Sequence, residues 1–211
     1  MNARLYLATA YAQQYIPGVD SEENNRRGEQ AIEQFKQVLG VYPGRDQQIG
    51  GLKGIASLYL NMRKLDLAKE YQNRVTALDP TNTEAYYSIG VIDWTQGDQP
   101  DMEERAKLGL KGDDAVEDKK VCSGLRDKNA ELIEDGLGNL NNALRLRPDY
   151  DDAMAYVNLL YRQKADIECN PAASAADLRT AQDWVDKTMA AKKAKSGEAT
   201  GRRWNRPRLE C

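Results

Sequence analysis

The sequence predicts an all-α fold built as a run of stacked helix pairs, and three observations carry that prediction. A short apolar phrase closing on proline recurs as Val41-Tyr42-Pro43, Leu78-Asp79-Pro80 and Leu146-Arg147-Pro148. Pro43 and Pro80 lie 37 residues apart, and Pro80 and Pro148 lie 68 apart, twice 34, so the chain repeats at the length of two helices and their turns. Each proline follows an amphipathic stretch with apolar or small residues at helical spacing: Ala31, Phe35, Val38; Ala68, Tyr71, Val75; Gly136, Leu140, Ala143. Sustained period-2 alternation of β-branched residues, which strands would need, is missing.

Taken in order, the first pair spans about 3–44, with Leu7, Ala8 and Tyr11 on its leading helix. Its surplus, Gln13 to Asn25, contains Pro17-Gly18 and reads as an extended loop. The second pair, 46–82, is the cleanest: Leu52, Ile55, Ala56 and Tyr59 on one helix, then Ala68, Tyr71 and Val75 on the next. The third, 83–149, opens with Tyr86, Ile89 and Gly90 and carries Asp93-Trp94 where the other repeats have a tyrosine. An insertion, 95–131, separates its two helices. From Asp98 to Glu131 it has 10 acids and 7 bases. It is expected to hold a short helix over Met102–Leu108, broken at Gly109 and Gly112. A long helix capped by Asp113 or Asp114 then runs through Gly136. The fourth pair, 150–193, shows Met154, Val157 and Tyr161, then Ala181 after a 20-residue gap containing Asn170-Pro171. All but the last of the 7 prolines are expected between helices.

These residues resemble the tetratricopeptide repeat family. The resemblance rests on Leu52, Ile55-Ala56, Tyr59, Ala68, Val75 and Pro80, on Tyr86 and Ile89-Gly90, and on Gly136, Leu140, Ala143 and Pro148. It implies a superhelical solenoid of about four helix pairs over 1–193. Small residues on facing helices (Ala8, Ala56, Gly90 against Ala31, Ala68, Gly136, Ala181) let the axes approach, and stacking buries a core no single pair could bury. It also implies a function: a non-catalytic scaffold or adaptor that takes a peptide or helix of a partner protein along a concave face. By resemblance that face is lined by Leu5 and Thr9, then Lys53, Ser57 and Leu60, then Tyr87, Val91 and Trp94, then Ala155, Leu159 and Arg162. The contact residues expected from this set are Lys53, Ser57, Leu60, Tyr87, Val91, Trp94, Leu159 and Arg162. Clustered aromatic and aliphatic groups favour an apolar partner segment, unless the insertion or the tail covers them. The carboxylate clamp of one subfamily is not expected, because Ser57 and Ser88 stand where asparagines belong.

Other chemistry finds little support. The chain has no histidine, which excludes every nucleophilic or metal site built on one within it. Asp149-Tyr150-Asp151-Asp152 lacks the glycine and glutamate of a calcium loop and reads as acids at a helix start. Glu103-Glu104 and Asp113-Asp114 read as a solvated face, and Gly50-Gly51 and Gly54 as turn and helix-start glycines. No enzyme activity, metal or cofactor is expected. Cys122 and Cys169 can pair in an oxidising compartment if the fold brings them close, and two free thiols are the alternative. Cys211 is expected free.

Net charge is −3, but Lys187 to Cys211 carries +6, leaving −9 on the rest. A basic tail, 194–211, is expected to be disordered after a helix that fades at Ala190-Ala191. Its Arg202-Arg203-Trp204-Asn205-Arg206-Pro207-Arg208 keeps open a rival reading, RNA binding through the tail, and the tail could also dock on the acidic body. A second rival is a structural segment of an envelope assembly factor. No run approaches the roughly 18 apolar residues of a membrane span. The chain as written is expected to be soluble and cytoplasmic, or periplasmic if a longer natural chain carries an export signal.

Overall fold

The computed structural model describes residues 3–111 and 114–204, with side chains described to 197. Every regular element among them is a helix: α1 (Ala3–Ala12), α2 (Glu22–Val41), α3 (Arg45–Asn61), α4 (Leu65–Leu78), α5 (Thr83–Lys107), α6 (Lys119–Leu146), α7 (Asp151–Ile167) and α8 (Pro171–Trp204). Helices adjacent in sequence pack on one another: α1 on α2, α2 on α3, α3 on α4, α6 on α7 and α7 on α8. The chain divides into two compact units, Met1–Ile92 and Asp93–Cys211, and the division falls inside α5.

In the first unit the alanines predicted to let helices approach are buried to the last atom or nearly so: Ala8, Ala31, Ala56 and Ala68. Around them close Ile32, Phe35, Leu52, Ile55, Tyr71 and Val75. The glycines of α3 are interior, not at a turn or helix start as expected. A Cβ at Gly54 would stand 2.4 Å from Phe35 Cζ, and one at Gly51 would stand 2.7 Å from Leu39 Cδ2. They are absent side chains that admit the aromatic and aliphatic groups of α2.

Part of the predicted loop, from Gln13 to Ser21, lies outside helix, and Asn24 fastens it. Its buried amide accepts from Ile16 N at 2.8 Å and donates to the carbonyls of Ile16 and Val19 at 2.9 and 2.8 Å. Ser21 caps α2 by accepting from Asn24 N. At the Pro80 turn, Asp79 accepts from Thr81, Asn82 and Arg45, and Asn82 in turn accepts from Ala85 N at the start of α5.

The second unit is built on Leu125, Ile133, Leu140, Ala143, Ala153, Val157, Leu160 and Ala181, all buried. Gly136 again marks a close approach, its missing Cβ lying 2.9 Å from Leu160 Cδ1 and 3.1 Å from Asp93 Cβ. Two buried amides tie α5 to its neighbours: Asn129 donates to the Gly97 carbonyl at 3.3 Å and Gln163 to the Trp94 carbonyl at 3.0 Å.

Several boundaries differ from expectation here. The segment 95–131 is largely an extension of two helices, since α5 continues to Lys107 and α6 begins at Lys119. Pro100 therefore lies within a helix, not between helices. It forgoes one backbone hydrogen bond, but Gly97 and Asp101, on either side, are buried and hold the helix through it. Asp118 caps α6, not Asp114, accepting from Lys120 N at 2.8 Å and Val121 N at 3.1 Å; Asp113, the other expected cap, lies outside the described residues. Val116, just upstream, is buried. The 20-residue gap of the fourth repeat is also mostly helix, broken only where Asn170 accepts from Ala172 N and Ala173 N and Pro171 takes the first helical position.

α8 does not fade at Ala190-Ala191 but runs to Trp204. Lys195 reaches back to Asp151 at the start of α7, with Asp149 4.0 Å away. That pairing holds the Asp151 carboxyl below its ordinary range. The rest of the expected basic tail, from 205 onward with Cys211, lies outside the described residues.

Cys122, in the first turn of α6, is joined to Cys169, in the α7–α8 turn, by a disulfide with a Cα separation of 5.6 Å. Arg126 reinforces the same junction by donating to the Ile167 carbonyl at 2.9 Å.

Candidate functional site

The eight residues expected to contact a partner fall in both units. Lys53, Ser57 and Leu60 recur on α3, with Lys53 half-buried, Ser57 exposed and Leu60 packed against the apolar core of the first unit. Leu5 also packs inward, over Gly50. Tyr87 and Val91, on α5, are half-buried in the same unit. The other three, Trp94, Leu159 and Arg162, come together in the second unit around one open cavity of about 390 Å³.

That cavity is walled by α5, α7 and α8. From α5 come Trp94, Asp98, Asp101, Met102, Arg105 and Ala106. From α7 come Leu159, Arg162, Gln163 and Asp166, with Leu178 from α8 and Leu110 from the loop after α5. The α5 positions 94, 98, 101 and 105 are one helical stripe, and 159, 162 and 166 make another on α7. The insertion thus lines the site that holds Trp94. Trp94 is held edge-on to Tyr156 with 5.4 Å between ring centres, and its carbonyl is held by Gln163. Arg162 Nε donates to Asn158 Oδ1 at 3.1 Å.

The charged floor was not foreseen. Arg105 and Asp166 form an ion pair whose side chains are 12% and 14% exposed. Beside it, Asp101 is 5% exposed, and its Oδ1 has no hydrogen-bond partner in the protein. Burial pushes the Asp101 carboxyl up to about 7. The Asp166 charge and a hydrogen bond shared with Asp166 add to this, and Arg105 opposes it. Burial also raises Asp98. Asp101 is therefore the carboxyl group of this floor that most readily holds a proton, in a chain with no histidine. The signal was present as the spacing of Trp94, Asp98, Asp101 and Arg105. Expecting Pro100 to lie between helices hid it. Among the described residues, no three thiol or carboxylate side chains converge to hold a metal ion, and no helix is long and apolar enough to cross a membrane.

Comparison with known proteins places a tetratricopeptide repeat at residues 54–82, the latter part of α3 with α4 and the Pro80 turn. No curated protein matches the sequence. Similar solved structures include the MamA RS-1 ArsTM double mutant, 16% identical over 93% of this chain and 99% of that one, with a TM-score of 0.36. A crystal structure of MamA protein is 14% identical over 93% and 96%, with a TM-score of 0.35. MamA 41-end from Desulfovibrio magneticus RS-1 is 16% identical over 92% and 98%, with a TM-score of 0.36.

Proposed function

We propose that this protein is a non-catalytic interaction scaffold that receives a peptide or helix of a partner protein, with the cavity bounded by Trp94, Leu159 and Arg162 as a principal contact. The repeat at 54–82 supports the general role, since tetratricopeptide repeats serve typically as interaction scaffolds. The observation that carries the finer reading is the cavity itself. It is open and concave, walled by an aromatic and aliphatic surface (Trp94, Met102, Leu110, Leu159, Leu178), and it converges on a few charged groups. Its volume is at the small end of ligand sites, suited to anchoring a side chain or two of a longer segment. Trp and Arg are the residue types that most often dominate such contacts. Lys53, Ser57, Leu60, Tyr87 and Val91 are proposed as further contacts of the first unit.

The test is a Trp94→Ala/Arg162→Ala double variant of the full chain, used as bait beside the wild type in the native cell extract and quantified by mass spectrometry. The proteins enriched by the wild type are expected to fall at least tenfold with the variant, while its circular dichroism stays helical. A folded variant that enriches the same proteins to the same extent refutes the assignment.

A further inference from the structure

The floor of the cavity gathers three carboxyl groups and two guanidinium groups. Arg105 pairs with Asp166 and also acts electrostatically on Asp101. Asp98 and Asp101 lie three residues apart on α5 and face the same space. Arg162 is the other cation in the wall, and it is held at Asn158. One Asp101 oxygen is buried with no donor to satisfy it, which is costly unless something supplies one. Above these carboxyl groups the wall is apolar, formed by Trp94, Leu159 and Leu178.

We propose that this cleft is a receptor for a basic side chain of the partner, its aliphatic stem lying along Trp94, Leu159 and Leu178 and its ammonium or guanidinium head meeting Asp98 and Asp101. The inference deepens the function proposed above and rests on it. Lysine and arginine have the required form, an apolar stem ending in a charged donor. The head brings a donor to a carboxyl pair in which one Asp101 oxygen has no hydrogen-bond partner, and positive charge beyond what Arg105 supplies there. A metal ion fits less well: among the described residues no metal-holding cluster forms, and two guanidinium groups share the wall.

The arrangement also fixes how binding depends on pH. The groups facing Asp101 are Asp98 and Arg105 from α5 and Arg162 and Asp166 from α7, while α8 presents Leu178. Below about pH 7 Asp101 in the empty cleft holds a proton, and an arriving cation favours its loss, so association in that range releases a proton. Affinity therefore falls as pH drops below about 7 and approaches a tenfold loss per unit.

The probes are n-butylammonium and n-butylguanidinium, with n-butyrate as the oppositely charged control, titrated into the full-length protein and followed by NMR at the Trp94 indole and the Leu159 and Leu178 methyls. Saturable shifts are expected with both cations at millimolar concentrations and not with butyrate. Binding should weaken five- to tenfold from pH 8 to pH 6, and Asp101→Asn and Asp98→Asn should each weaken it at least fivefold. If butyrate shifts these resonances as the cations do, or if cation affinity is the same at pH 8 and pH 6, the receptor assignment is overturned. The pH comparison uses wild-type protein and stands even if a variant fails to fold. Loss of partner capture in Trp94→Ala/Arg162→Ala without any cation binding would retain the scaffold reading and remove this one. Cation binding with unchanged partner capture would do the reverse.

Discussion

A buried carboxyl group raised to about 7 makes a definite demand on stability. The perturbation is Asp101→Asn, which keeps the shape and the hydrogen bond to Asp166 but removes the charge. Asp101 has an ordinary value of 3.8 in the unfolded chain and about 7 in the folded one, so between those values the native state holds the extra proton. Its contribution is fully present below 3.8 and is lost as pH rises through 7. At about 1.4 kcal/mol per unit the whole swing is roughly 4 kcal/mol, of which about 2–3 kcal/mol falls between pH 5 and pH 8. Asp101 is 5% exposed, so solvent screens little of this. The assay is urea unfolding at each pH by tryptophan fluorescence. All 3 tryptophans (94, 184 and 204) belong to the second unit, so the signal reports the part of the chain that holds Asp101. With 0 histidines, few other groups titrate in that interval. Wild-type protein should lose stability from pH 5 to pH 8, and Asp101→Asn should lose much less and be the more stable of the two at pH 8. Parallel pH profiles for the two proteins would show that Asp101 is not held protonated by its surroundings.

Two further substitutions test the packing. Cys122→Ser removes a link across 47 residues, and loop-closure entropy puts the cost at about 4 kcal/mol, near 2 if the unfolded state retains structure. The same fluorescence-monitored urea curve, without reductant, should move to lower denaturant by that amount, and adding reductant to the wild type should reproduce it. Gly54→Ala places a methyl group against the Phe35 ring and should cost about 1–3 kcal/mol, read by far-ultraviolet circular dichroism during thermal unfolding.

The helical architecture was legible because it depends on local, periodic features. Ala8, Ala31, Ala56, Ala68, Ala143 and Ala181 recur at the spacing of close helix crossings, and all are buried. Pro43, Pro80 and Pro148 fall in the turns after α2, α4 and α6. What escaped depends on tertiary structure. Gly97 and Pro100 carry strong local signals for ending a helix, yet α5 passes through both because Asn129 binds the Gly97 carbonyl and Asp101 is packed beyond it. Asp114 and Asp118 are equally good caps by composition, and composition alone does not say that Asp118 takes the role. Once α5 is taken to stop near Trp94, its acidic stripe cannot be aligned with Asp166 on α7, and the floor of the cavity disappears from view.

The cost of Asp101 is also the strongest reason to connect it with binding. A buried polar group kept only for structure is normally satisfied inside the protein, as Asn24 is by three backbone partners and Asn129 by the Gly97 carbonyl. Asp101, like Gln72 and Gln163, has a buried oxygen without a partner, but it differs from those amides in being ionisable, and burial together with the Asp166 charge suppresses its ionised form. An asparagine there would relieve the charge, and a leucine or methionine would suit the apolar wall. A group this expensive, beside an open cavity and an aromatic side chain, is what a site selected for an incoming charge would retain, because the energy withheld in the empty state is released on binding. The stability gain and the binding loss predicted for Asp101→Asn are thus two measurements of one arrangement. They should appear together, since a gain in stability with cation affinity intact would separate the buried charge from the function proposed for it.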